Sequence, residues 1–368
     1  MNYQTFMIIR LFGIQYCFQA VFILIVLLLP AYSAASNSVK LIDEMSFYPL
    51  ARYIEIFEDR DNYFTIEMVS EKKTIPSLFR STNGIINFSI TDSTMWIRFR
   101  VVNNTLDNRK FLLELAYTPI DYATLYTPES GNTFSAITLG DLVPIENRLI
   151  RNRKPLFPLF IEPGSSVRYY MKFETQSPMQ ITLNVWKPLA FFENDHNEQI
   201  LYGLFFGIML VMAFYNLFLF FSLRDKTYLA YFSFVISFLL WGMTNYGFMY
   251  EYIITWNPMI ANLSTLIFLF LALISATVFT KLFLKTAEYM PVFNRIFNSF
   301  IFLFFIGLVA SVILDFKYGI MMAELGNAVL SVMAIISATI SLLRGYTPAR
   351  FYLIAWALFL AGCLIYTL

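Results

Sequence analysis

Trp96, Arg98 and Arg100 stand at alternate positions, interleaved with the apolar Ile97, Phe99 and Val101. In an extended strand, residues i, i+2 and i+4 share a face. The sequence therefore sets an indole and two guanidinium groups side by side. Arginine forks hydrogen-bond to paired oxygens, and an aromatic face stacks on flat ligand surfaces. The trio is the candidate ligand-binding face. Its plainer reading is a solvated strand face, with Trp96 packed inside the domain. A second candidate is Glu324, the one charged residue in the apolar run Tyr318–Leu343, with Asn327 three residues on and so on the same helical face. An acid inside a membrane span marks function by default, although Lys317 at the outer end is placed to approach it. Asn216, in another apolar run, is expected to form a hydrogen bond between helices. The single histidine, His196, reads as a wet interfacial residue, with pH sensing open because imidazole titrates near neutrality.

No nucleophile is set beside a base, no Cys/His set has zinc spacing, and no glycine-rich phosphate loop occurs. The chain is thus read as a non-enzyme, with no catalytic residue, metal or cofactor. Cys17 and Cys363 both lie in apolar segments, so the polar half has no disulfide. A net charge of +1 excludes a nucleic-acid surface, which needs a basic excess.

These residues are distributed over two solvents. Hydrophobic residues make up 58% of the chain and charged residues 14%, and the two kinds separate at Gln199. Charge-free stretches run Gln199–Leu223, Thr227–Tyr250, Tyr252–Thr280, Ile296–Leu314 and Phe351–Leu368, with Tyr318–Leu343 broken only by Glu324. Each can hold a helix near the roughly 20 residues that cross a bilayer. Six spans follow, at about 199–223, 227–250, 260–280, 296–314, 318–343 and 351–368. Residues 1–35 have the form of a secretory signal: Arg10, an uncharged run Leu11–Leu29, then Ser33-Ala34-Ala35. An uncleaved anchor is the alternative, and either way the domain 36–188 is exported, with residues 189–198 as a polar lead to the first span. Trp186, near the membrane edge, reads as an interfacial anchor.

Export of that domain fixes every later loop. Arg224, Lys226, Lys281, Lys285, Arg295, Arg344 and Arg350 then lie inside, and Lys317 alone outside. That bias is the positive-inside pattern. Arg224-Asp225-Lys226 is short enough to make its two spans a hairpin. In the loop Arg344–Arg350, Gly345 suits a helix C-terminus and Pro348 the first turn of the next helix. These loop residues are also the surface a cytoplasmic signalling protein would meet. Six spans put Leu368 outside, so a seventh span and a soluble module are expected beyond it.

The exported half reads as antiparallel β-structure. Val167, Tyr169, Met171 and Phe173 alternate with polar residues, and so do Met179, Ile181, Leu183 and Val185. Phe111–Ala116 and Tyr122–Tyr126 add strands. Asn103-Asn104, Asp107-Asn108, Pro128–Asn132 and Pro163-Gly164 supply turns. The fold class is an all-β sandwich or jelly roll followed by an all-α membrane bundle. Tyr63–Arg80 fits a strand or a short helix.

The segments Thr91–Phe99, Leu112–Tyr117 and Gly140-Asp141-Leu142 resemble the exported DISMED2 domain of bacterial seven-transmembrane receptors with diverse intracellular signalling modules (7TM-DISM). Tyr215–Leu219, Ser222–Tyr228 and Arg344–Arg350 with Ala355-Trp356 are similar to that family's membrane domain. The resemblance implies a receptor of the bacterial inner membrane whose sensor binds carbohydrates or related small molecules and whose bundle drives a cytoplasmic output. Its other partners would be the lipid bilayer, a separate signalling protein and, in a homodimer, a second copy. An adaptor serving a separate signalling protein is the alternative, with a transporter behind it.

Overall fold

A computed structural model describes residues 38–71, 79–81, 86–106, 109–129 and 133–367. The expected secretory signal with Cys17, the expected Asp107-Asn108 turn, part of the Pro128–Asn132 turn and Leu368 lie outside the described residues.

The exported half forms thirteen described strands: β1 (Val39–Leu41), β2 (Phe47–Pro49), β3 (Ile54–Asp59), β4 (Arg80–Ser81), β5 (Ile86–Phe88), β6 (Thr94–Asn103), β7 (Lys110–Leu115), β8 (Tyr122–Pro128), β9 (Phe134–Leu139), β10 (Leu156–Phe160), β11 (Ser166–Glu174), β12 (Met179–Ile181) and β13 (Leu183–Trp186). One sheet runs β4-β3-β6-β11-β8-β9, with β1 parallel to the far half of β6. A second runs β10-β7-β13-β2, and β12 and β5 form a short ribbon. Ile97, Phe99, Val101, Met171 and Phe173 of the first sheet share one core with Phe111, Leu113, Phe157 and Val185 of the second. Two sheets closed over a common apolar layer make a β-sandwich.

The alternation at Met179–Val185 is not one strand. The Thr182 carbonyl accepts from the Ala116 amide, and there the chain passes from the β12 ribbon to the second sheet. Both pieces border the same core, so the period of two continues across the switch. The ambiguous stretch after Tyr63 contains the helix α1 (Ile66–Ser70). It lies on the outer face of the first sheet, where Ile66 and Val69 join Phe57, Phe79, Trp96 and Tyr170 in a separate apolar cluster.

The membrane half comprises α2 (Pro188–Leu223), α3 (Lys226–Asn245), α4 (Pro258–Phe283), α5 (Thr286–Tyr289), α6 (Pro291–Ala310), α7 (Phe316–Leu343) and α8 (Ala349–Thr367). Among the described residues, α2, α3, α4, α6 and α7 are long and apolar enough to cross a bilayer, and the sixth expected span falls on α8. Leu204, Val211, Phe214 and Phe218 of α2 remain exposed, as side chains facing lipid do. The polar lead and the first span form one helix of 36 residues, so no joint separates them. The second span ends at Asn245, five residues before the charge-free run does. Tyr246, Gly247 and a π-type turn at Met249–Ile253 fold back beneath the β-domain instead. Hydropathy does not distinguish burial in protein from burial in lipid.

The inner loops close as their sequences require. Arg224 takes a left-handed conformation (φ 58°) to end α2, and Asp225 caps α3 by accepting from the Thr227 amide at 2.8 Å. At the end of α7, Gly345 (φ 90°) donates to the Leu342 carbonyl and Tyr346 to that of Ser341, the paired bonds of a Schellman turn.

Candidate functional site at the domain seam

The loop from Gly140 to Lys154 and the first turns of α2 build a buried ionic cluster. An Arg153 terminal nitrogen donates to Asp195 Oδ1 at 3.1 Å and to Glu198 Oε2 at 2.6 Å. Lys154 Nζ meets Glu198 Oε2 at 2.8 Å and Glu114 Oε1, on β7, at 2.6 Å. Neutral donors complete the acids: Asn152 and Gln199 to Asp195, and Asn184 and Trp186 to Glu114. Arg153, Lys154, Asp195 and Glu114 are all buried. Ions removed from water persist only when paired and hydrogen-bonded in this way. Trp186 is therefore a donor within the cluster, packed against Phe47 and Phe191, rather than a free interfacial anchor.

Beside it lies a second polar group. Arg148 donates to the carbonyls of Gly140 (2.8 Å) and Asn152 (2.6 Å), and its guanidinium lies 4.7 Å from the Tyr250 ring centroid. Gly140 itself packs against the Asp121 backbone so closely that a Cβ there would fall 2.0 Å from the Asp121 carbonyl oxygen. The tight approach presents Asp141, whose Oδ2 accepts from Asn262 of α4 at 3.2 Å. Burial, with Asp121 adding repulsion, pushes the Asp141 carboxyl well above the usual range, while Arg148 pulls the other way. Burial also raises Asp121 and lowers Arg148.

Every loop on this side of the bundle touches the β-domain. Thr118 donates to the Asn245 carbonyl (2.7 Å), Tyr250 to that of Val143, and Arg151 to that of Glu251 (3.1 Å). Gly247 (φ 79°) allows close approach, since a Cβ there would lie 3.1 Å from the Arg153 carbonyl oxygen. Farther round, the Phe316 amide donates to Gln176 (3.1 Å), and Lys317 bonds both Asp92 oxygens at 2.7 and 2.9 Å. The start of α2, the α3–α4 connection and the start of α7 thus share the β-domain's side.

Beneath the seam is a cavity of 960 Å³, lined at its upper end by Asp141, Arg148 and Arg153 and lower down by apolar residues of α2, α3, α4, α7 and α8. Among the described residues, Asp141 Oδ1, Arg148 Nε, Arg153 Nε and Glu251 Oε2 are buried polar atoms with no hydrogen-bond partner. No group of three or more His, Cys, Asp or Glu among the described residues is arranged to hold a metal.

The sequence candidates are dispersed. Trp96 is 1% exposed, stacked on Tyr126 under α1, so it cannot lie on an open face. Arg98 is paired with Glu55 and lies 4.2 Å from the Phe79 ring centroid. Arg100 alone of the three is exposed, opposite Arg168. The helix α1, invisible to strand periodicity, covers the part of that face holding Trp96. Asn216 donates to Met212 within its own helix at 2.8 Å, not between helices. Lys317 pairs with Asp92 rather than Glu324, and both Glu324 and Asn327 line the cavity. His196 is exposed on α2. Arg344 donates to the Tyr289 carbonyl, and Arg350 lies 4.8 Å from the Phe351 ring centroid.

No single motif marks the seam in the sequence, although Arg148, Arg151, Arg153 and Lys154 fall within seven residues and Glu193, Asp195 and Glu198 precede the first span. Two opposite charge clusters flanking a domain boundary were the available signal.

Comparison with known proteins agrees with this architecture. The family model for the 7TMR-DISM extracellular 2 domain matches residues 51–187, and that for the 7TM diverse intracellular signalling domain matches residues 198–368. No curated protein matches the chain. The crystal structure of a GH31 alpha-xylosidase from Xanthomonas citri aligns at 14% identity and a TM-score of 0.22, over 40% of this chain and 16% of that one. A likeness that slight bears on neither fold nor activity. With the two family matches running almost without a gap from Ala51 to Leu368 and meeting at the seam, the chain belongs to the 7TMR-DISM receptors, as a multi-pass membrane receptor with an extracellular sensor domain.

Proposed function

We propose that the β-domain, residues 36–188, senses a small extracytoplasmic molecule of carbohydrate or related chemistry at a bacterial inner membrane, and that the bundle from residue 199 onward relays the event to a cytoplasmic output. The observation that supports relay is the pairing of Arg153 and Lys154 with Asp195 and Glu198. A rotation of the sandwich must turn α2 with it or break buried ion pairs, and the continuous helix carries that motion to Arg224. The Asp141–Asn262 and Gln176–Phe316 bonds offer the same load to α4 and α7. Rigid-body motion of packed elements is a common form of such switching.

The test is amide hydrogen exchange on the full chain in nanodiscs, with and without a glycan selected by array binding. Relay predicts altered exchange in the sandwich and also at the inner ends of α2 and α7, around Arg224 and Arg344. Changes confined to the sandwich would make the domain a binding module without relay.

A further inference from the structure

We propose that the cavity under the seam binds an anionic amphiphile, with a carboxylate or phosphate head beside Arg148 and a hydrocarbon tail descending between α2, α3, α4 and α7. It goes beyond the sensing role of the outer domain and uses that reading only for its consequence, since an occupant there would touch both sandwich and bundle.

Shape is the first argument. At 960 Å³ the cavity sits near the top of the roughly 300–1,000 Å³ range of small-molecule sites. Its polarity is one-ended: sensor-loop residues at the top, then Phe205, Met209, Phe234, Phe238 and Leu273. A sugar or an inorganic ion would leave those walls wet and unmatched, whereas an acyl chain fits them.

Charge is the second. Arg148 is 7% exposed and is held by backbone carbonyls and the Tyr250 side chain, with no carboxylate among the described residues hydrogen-bonded to it, and its Nε has no partner. Arg153 is 3% exposed and leaves its Nε unused as well. A buried guanidinium that lines a cavity is strongly stabilised by an oxyanion beside it. Asp141, the acid nearest Arg148, also has a free oxygen, Oδ1. With its carboxyl held toward the protonated form, it can donate to an anion rather than repel one.

Free fatty acids and anionic phospholipids share this chemistry. The experiment places the full chain in phosphatidylcholine nanodiscs and titrates 9,10-dibromostearate, reading quenching of Trp241, which lines the cavity. Saturable quenching is expected, absent for that component in Trp241→Phe. Affinity should fall at least tenfold in Arg148→Gln, in the cavity-filling Ala272→Phe, and when the dibrominated alcohol replaces the acid. A second arm compares nanodiscs containing brominated phosphatidylglycerol with brominated phosphatidylcholine. Stronger quenching by the former assigns the site to phospholipid, and quenching by the acid alone assigns it to fatty acid. Quenching that never saturates, or that is unchanged in Ala272→Phe, would put the lipid on the outer surface and overturn the proposal. Equal affinity for acid and alcohol would overturn the anionic head. Should Arg148→Gln fail to fold, Ala272→Phe and the acid–alcohol comparison on the unaltered chain still decide both points. Because binding is read without any signal, failure here is separate from failure of relay.

Discussion

Arg153, in a loop of the β-domain, donates to Asp195 of the first membrane helix at 3.1 Å, with the two side chains 2% and 4% exposed. A pair so dry holds the two domains together only while both partners are present. Removing one leaves an uncompensated buried charge, which costs about 3–5 kcal/mol, whereas replacing both by apolar residues is often neutral. Arg153→Met should therefore lower the melting temperature of the full chain sharply, and Arg153→Met with Asp195→Leu should recover much of the loss. Thermal melts in one detergent check this; equal loss in the single and double variants would show that Glu198, not Asp195, carries the pairing.

Trp96 and Arg100 lie on one strand and should separate cleanly on substitution. Trp96 fills the cluster under α1 with Phe57, Ile66 and Tyr170, so Trp96→Ala should cost about 3–5 kcal/mol, as large aromatic deletions do. Arg100 is exposed, and Arg100→Ala should shift stability by no more than about 0.5 kcal/mol. Chemical denaturation of the two variants, followed by near-ultraviolet dichroism, reads both effects. A mild Trp96→Ala would mean that α1 does not seal that face.

Period-two patterning at Trp96–Val101 and Val167–Phe173 was enough to find the central strands, because one face of each meets the core. It was not enough to assign the other face. Whether Trp96 meets water or α1 depends on a separate segment, Ile66–Ser70, not on the strand's own pattern. The same limit applies at Tyr246–Tyr250, whose apolar run is explained by the β-domain above it. The inner loops were legible because their causes are local: Asp225 caps its own helix and Gly345 closes its own turn. The seam was not, since Glu114, Arg153 and Asp195 are brought together only by tertiary folding.

Loop placement gives a prediction in cells. The α3–α4 connection and the start of α7 bond to the β-domain, so the α2–α3 loop, Lys285 and Gly345 belong to the opposite side. Reporter fusions after Lys226, Lys285 and Gly345 should score cytoplasmic, and a fusion after Pro188 exported. An exported score at Lys226 would contradict both the contacts and the distribution of basic residues.

Asp141 contributes a pH dependence at the seam. Its folded-state carboxyl is held well above the ordinary aspartate range, chiefly by burial, and Asp121 is raised in the same direction. The folded protein therefore keeps its protons to higher pH than the unfolded chain does. Stability from these groups is complete below the usual aspartate value, near 3.9, and drains away as pH rises through their raised values. Most proteins show the reverse over this window, because their paired carboxylates titrate low. Asp141→Asn preserves an acceptor for Asn262 and removes the titration. The variant should gain stability relative to the unaltered chain at neutral pH and lose that advantage as pH falls toward 4. Parallel melting curves of the two proteins over pH 4–8 measure the difference directly. A difference that stays constant across the range would show that Asp141 keeps its charge in the folded protein and that Arg148, rather than a proton, neutralises it.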